Sequence, residues 1–73
     1  MATPDELKTR IESAIAGASA VVESPDNVHF SAHVVSDRFD GLSRVQQHRL
    51  VMDLFAGELG GEIHALSLKT ETP

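Results

Sequence analysis

Four histidines, at positions 29, 33, 48 and 64, are the side chains of this 73-residue chain best suited to hold a metal or carry a proton near neutral pH. The chain has no cysteine. That excludes disulfides, thiolate metal sites and a thiol nucleophile. A metal or cluster must therefore be held by His, Asp or Glu, or by cysteines that a partner supplies. His29 and His33 fall on one face of a strand, but four residues span ~13 Å, too far to chelate one ion. A two-His zinc site within that strand is rejected. His64 opens a later strand, and on residue type alone it reads as a hydrogen-bonded rim residue. His48 lies on the apolar stripe of a helix, three and four residues before Val51 and Met52. It reads as a partly buried residue that orders a neighbouring loop through a hydrogen bond. Ser43 is better used as a helix cap, and no Ser/His/acid set or carboxylate pair has defensible geometry. The chain is not read as an enzyme.

The elements that must position these groups follow from capping and periodicity. Thr3, Pro4 and Glu6 make a capping box with proline at the first helical position. Leu7, Ile11, Ala14 and Ile15 recur at helical spacing, and Gly17 offers a left-handed stop, so a helix is predicted over 4–16. Ala18 to Ser24 and Val28 to Ser36 flank the turn residues Pro25-Asp26-Asn27, so 19–36 reads as a β-hairpin. In its second strand Val28, Phe30, Ala32 and Val34 share the core face, and His29, Ser31, His33 and Val35 share the other. Asp37 to Leu42 reads as a loop with a tight Asp40-Gly41 turn. Ser43 and Gln46 form a second capping box, opening a helix over 44–59 that Gly60-Gly61 ends. Its stripe is Val45, Met52, Phe55 and Leu59, widened by Val51 and Leu54. Glu62 to Thr70 is a third strand, with His64, Leu66 and Leu68 on one face and Ile63 and Ala65 on the other. Residues 71–73 are predicted to fray.

The order α-β-β-α-β gives an α+β fold with a mixed three-stranded sheet and both helices on one face. A right-handed crossover makes the third strand parallel to the second. The starts of those strands and the 24–28 turn then lie at one end of the sheet, so His64 is expected near Asp26 and His29. The side chain of His29 nominally points to the opposite face from His64.

Composition bounds the rest. A chain this short buries only ~60% of its unfolded surface, which permits one thin core and a single domain, taken as residues 1–73. Six Lys and Arg against eleven Asp and Glu give a formal charge of −5, which opposes bulk attraction to phosphate backbones or anionic membranes. No apolar run approaches a membrane span, and no basic-then-apolar leader precedes the first helix. A cytoplasmic protein is the expectation.

Residues 29–73, HFSAHVVSDRFDGLSRVQQHRLVMDLFAGELGGEIHALSLKTETP, carry several linked motifs. They are an aromatic–x–apolar–x–Val-Val-Ser strand, a Phe-Asp-Gly turn, a Gln-His-Arg-x-Val helix, and an Ile-His-Ala strand with Thr-Pro after it. At this spacing the chain resembles the BolA family in its short, BolA-like branch. The first helix and the hairpin agree in order but carry no motif. The resemblance implies a fold similar to type II KH domains. It also implies a monothiol glutaredoxin partner, and a [2Fe–2S] cluster shared with that partner and its glutathione for iron–sulfur trafficking or iron regulation. No cofactor is expected in the isolated protein, and no membrane or small-molecule substrate. Many relatives continue past Thr-Pro into a tail with a Trp, and any role of that tail is expected to be missing.

The family's Ile-His-Ala histidine is a cluster ligand and carries over to His64. The second ligand is a Cys or His in the turn between the first two strands, and here Ser24-Pro25-Asp26-Asn27-Val28 holds neither. His29 is the nearest imidazole. Asp26 would give oxygen, a harder and less suitable donor, and water is the remaining alternative. A second reading is a DNA-binding transcriptional regulator that uses the 38–49 turn and helix, with Arg38, Arg44, Arg49 and Lys69 as phosphate contacts. Gly57-Glu58-Leu59-Gly60 has the form of a KH-type phosphate loop, but Glu58 stands where basic residues are favoured. Three aromatics leave few faces for base stacking. A cofactor-free interaction domain is the third reading.

Overall fold

The computed structural model describes residues 2–73 and orders them as α1 (Pro4–Ala14), β1 (Ser19–Glu23), β2 (His29–Val35), α2 (Arg44–Met52) and β3 (Ala65–Glu71). β1 pairs antiparallel with β2, and β3 pairs parallel with β2, in the order β1-β2-β3. The hairpin and the parallel crossover are those the sequence predicts. The core face carries Ala20 of β1, Phe30, Ala32 and Val34 of β2 and Leu66 of β3, all buried. They pack with Leu7 and Ile11 of α1 and Val51 of α2, so both helices lie on this face. On the other face Val21, Glu23, Ser31, Ser67 and Lys69 stay exposed. No helix among the described residues is long and apolar enough to cross a membrane.

Both helices are shorter than periodicity suggests. Thr3 Oγ1 accepts the Glu6 N–H at 3.2 Å, which makes Thr3 an N-cap. α1 ends at Ala14 because Ile15 turns extended and drops its side chain into the core, while Gly17 takes the left-handed conformation (φ 71°) two residues later. The second box is complete: Ser43 Oγ accepts from the Gln46 N–H, and Gln46 Oε1 accepts from the Ser43 N–H. From Asp53 to Phe55 the helix tightens into a 3-10 turn that seats Phe55 fully inside. The chain then turns back on itself. The Gly60 N–H donates to Ile63 O at 2.8 Å, and the Ile63 N–H donates to Glu58 O.

Three burial expectations change as a result. Val45 is 65% exposed, because α2 meets the core only through its C-terminal half. Ile63, expected on the outer face of a strand, is fully buried because the strand starts only at Ala65 and Ile63 belongs to the preceding turn. Phe39, expected in a loop, is fully buried on a 3-10 turn (Asp37–Phe39), which Ser36 caps by accepting the Arg38 N–H. Ser36 is itself buried, and its hydroxyl donates to Ala16 O at 3.1 Å. Glu71, expected to fray, is strand: its carbonyl accepts the Ser36 N–H.

Candidate functional site

The turn between β1 and β2 is built on two side chains. Ser24 Oγ donates to His29 O at 2.6 Å and accepts the Asn27 N–H at 2.8 Å. Asp26 Oδ1 accepts the N–H groups of Val28 (3.1 Å) and His29 (2.9 Å). Asn27 takes φ 60°, a conformation asparagine tolerates better than most residues. The second carboxylate oxygen, Oδ2, lies 2.8 Å from Nδ1 of His29. The hydrogen bonds from the His29 backbone, the His29 ring and the Val28 backbone hold the Asp26 carboxyl well below the usual carboxylate range. An ionised carboxylate only accepts, so Nδ1 of His29 is the donor, and in the neutral ring Nε2 then presents the lone pair.

His64 reaches the same spot from the other side. Parallel pairing sets His29 opposite Ala65, and Val28 O accepts from the N–H groups of both His64 (2.8 Å) and Ala65 (3.3 Å). The bend at His64, just before β3, frees its side chain from the alternation of the strand. Its ring meets the ring of His29 edge to face, with centroids 5.7 Å apart and planes at 77°. The expectation that the two histidines point to opposite faces is therefore corrected. The expectation that Asp26, His29 and His64 gather at one end of the sheet agrees with the structure. Two imidazoles on one tetrahedral metal, with bonds of about 2.0–2.1 Å, have ring centroids about 5 Å apart. The observed centroid separation of 5.7 Å is close to that value. Among the described residues no group of three His, Asp or Glu is placed to hold a metal ion. The donors on offer are the two ring nitrogens. Such a pair suits one iron of a [2Fe–2S] centre, where two His replace two Cys and two sulfides complete four-coordination.

The other singled-out residues lie elsewhere. His33 Nε2 pairs with Glu71 Oε1 at 2.9 Å, further along β2. His48 is half-buried but orders no loop. That work falls to its neighbour Gln47, whose Nε2 donates to Leu42 O (3.0 Å) and Phe39 O (3.3 Å), while its Oε1 accepts from the Thr70 hydroxyl at 2.7 Å. The four basic residues divide. Arg44, His48 and Lys69 line one shallow cavity with Thr70 and Glu71, whereas Arg38 lines another with Ala14 to Ala16 and Leu50. Arg49 is exposed on α2. Glu58, inside the Gly57–Gly60 loop, pairs with Arg10 at 2.8 Å. Arg10 also donates to Leu54 O and lies 4.5 Å over the Phe55 ring, tying α1 to the end of α2. Helical spacing puts Arg10 off the Leu7/Ile11 stripe, and nothing in its type or spacing points to this contact.

The family model for BolA-like proteins matches residues 3–73. The chain belongs to the BolA-like family. This BolA-like chain is 46% identical over 71 residues to human BolA-like protein 1, covering 97% of itself and 49% of that protein. It is 44% identical over 69 residues to a Vibrio cholerae protein named DNA-binding transcriptional regulator BolA, covering 94% and 61%. The chain thus spans about half the length of the human relative it matches. Among solved structures, a bolA protein homologue from Coxiella burnetii superposes with a TM-score of 0.84 at 36% identity, covering 100% of this chain and 94% of that one. The resemblance read from residues 29–73 therefore extends across the hairpin and first helix, which carry no motif of their own.

Proposed function

We propose that this BolA-like chain is a non-enzymatic partner of a monothiol glutaredoxin, in which His64 and His29 donate imidazole nitrogens to one iron of a shared [2Fe–2S] cluster. The observation that carries the reading is the ring contact at 5.7 Å, with Nε2 of His29 left free by the Asp26 hydrogen bond. Both rings lie on the exposed rim, so a partner surface can bring thiolates to them without opening the core. When bound, the cluster supplies the redox and iron chemistry, at a potential that imidazole ligation raises. The chain's own part is to present the two nitrogens on a turn that five hydrogen bonds to Ser24 and Asp26 hold in place. A cytoplasmic setting, with thiols kept reduced, fits a cluster completed by glutathione and a partner cysteine. Co-expression with a monothiol glutaredoxin tests the reading. The expected product is a coloured 1:1 complex; recovery of only the coloured glutaredoxin homodimer and a colourless BolA-like chain would overturn it.

A second reading is a DNA-binding regulator, favoured by the name of the Vibrio relative and by Arg44 and Lys69 lining one cavity. Arg38 lies on another part of the surface, so the 38–49 segment offers no single basic stripe. With a net charge of −5, such binding is weak and salt-sensitive.

A further inference from the structure

The geometry points to Asp26 as a positioning residue that selects which nitrogen of His29 ligates, an inference that rests on the ligand reading above. Asp26 is poorly placed to be a ligand itself. Oδ1 already accepts two backbone N–H groups at 3.1 and 2.9 Å, and Oδ2 accepts Nδ1–H of His29 at 2.8 Å. Each oxygen therefore spends its best-directed lone pair inside the turn. The hydrogen bond to Nδ1 fixes the ring as the Nδ1–H tautomer, the minor form of a free histidine side chain, and makes Nε2 the donor atom. It also sets the ring plane against that of His64, whose ring makes no hydrogen bond among the described residues. The two ligands thus differ in kind, one preset by a carboxylate and one free to adjust to the incoming iron. A carboxylate behind a ligating histidine is a common way to fix tautomer and raise ligand basicity, and losing it costs about 10–100-fold in metal affinity.

Asp26→Asn separates this role from a structural one. The amide oxygen can keep the N–H groups of Val28 and His29, but the NH2 now faces Nδ1 as a donor. His29 must then accept at Nδ1 and carry its proton on Nε2, which closes the ligating atom. Long-range proton–nitrogen NMR on the free chain, at a pH where the rings are neutral, reads the tautomer directly. The expected result is Nδ1–H for His29 in the wild type, Nε2–H in Asp26→Asn, and an unchanged His64. The same variants, reconstituted with a monothiol glutaredoxin, are expected to lose cluster affinity about 10–100-fold for Asp26→Asn, with the visible circular dichroism of His29→Ala. A wild-type His29 protonated on Nε2 overturns the inference, and needs no variant to fold. So does cluster loss in both Asp26→Asn and Asp26→Ala with the tautomer of His29 unchanged, since that makes Asp26 a ligand. A flipped tautomer with an unaffected cluster also overturns it, because His29 then is not the ligand being positioned. A wild type that forms no mixed cluster at all defeats the proposed function instead, and the NMR arm still decides what Asp26 does to the ring.

Discussion

Gln47→Ala removes more of the fold than its half-buried, polar position suggests. The side chain joins three segments: Nε2 holds the carbonyls of Phe39 and Leu42 at 3.3 and 3.0 Å, and Oε1 receives the Thr70 hydroxyl at 2.7 Å. Two of these are well-formed bonds and one is long. At about 0.5–1.5 kcal/mol net per bond, their sum is roughly 2–3 kcal/mol. A domain of this size has a total stability on the order of 4–11 kcal/mol, so the loss is a large fraction. It corresponds to a fall in Tm of roughly 10–20 °C at about 4–8 °C per kcal/mol. Thermal and urea unfolding followed by circular dichroism measure it, with His48→Ala beside it as the control. His48 makes no side-chain hydrogen bond among the described residues, so its loss is expected to cost less than about 1 kcal/mol. The reasoning is refuted if His48→Ala proves the more destabilising of the two.

Further outcomes follow from the same geometry. Asp26 is held below the usual carboxylate range by the backbone and ring of His29 and the backbone of Val28, and Glu12 by Lys8 and the Ala20 N–H. Both carboxyls are lowered in the folded chain, so each contributes stability above the ordinary carboxylate pKa that is lost as pH falls toward the folded values. Tm measured from pH 7 down to 2 is expected to fall below about pH 4.5, and Asp26→Asn with Glu12→Gln is expected to flatten that fall. His33→Ala, ~13 Å along β2 from His29, should leave the mixed cluster's spectrum and lifetime unchanged while removing the pair with Glu71. A lost cluster would place the site elsewhere on the sheet. DNA binding by the isolated chain should fall with a slope of about −0.9 in log K against log salt for each phosphate contact. Arg44→Ala with Lys69→Ala should weaken it more than Arg38→Ala, as read by fluorescence anisotropy. Sequence-selective nanomolar binding at physiological salt would favour the regulator.

The topology was legible because its signals are local and mutually consistent. Ser43 with Gln46, the Pro25-Asp26-Asn27 turn, and Phe30, Ala32 and Val34 alternating against Ser31 and His33 each agree with the structure. Meeting of the strand starts followed from the parallel crossover, and with it the neighbourhood of Asp26, His29 and His64. What periodicity could not supply is where an element stops when tertiary packing decides. Ile15 leaves α1 for the core, Phe55 closes a 3-10 turn rather than continuing the α-helix, and the Gly60 turn carries Ile63 inward before β3 begins. That last shift also hid the ring contact: strict alternation put His64 across the sheet from His29, and the bend before Ala65 removes the alternation there. Asp26 was legible as a neighbour but not in its role, because the distinction between a ligand and a hydrogen-bond anchor lies in side-chain geometry. Gln47 and Arg10 likewise gave no signal of type or spacing that separates a hub from a solvated surface residue.

The most direct test of the shared-cluster reading is the visible absorption and circular dichroism of the reconstituted complex with glutaredoxin, comparing wild type with His64→Ala. His64 is exposed at a bend outside β3, so the variant is expected to fold with a stability change within about 0.5 kcal/mol. The account predicts that the spectral features of His-ligated iron disappear, or that the mixed complex gives way to the glutaredoxin homodimer. A folded His64→Ala whose visible spectrum and cluster lifetime equal those of the wild type would contradict it.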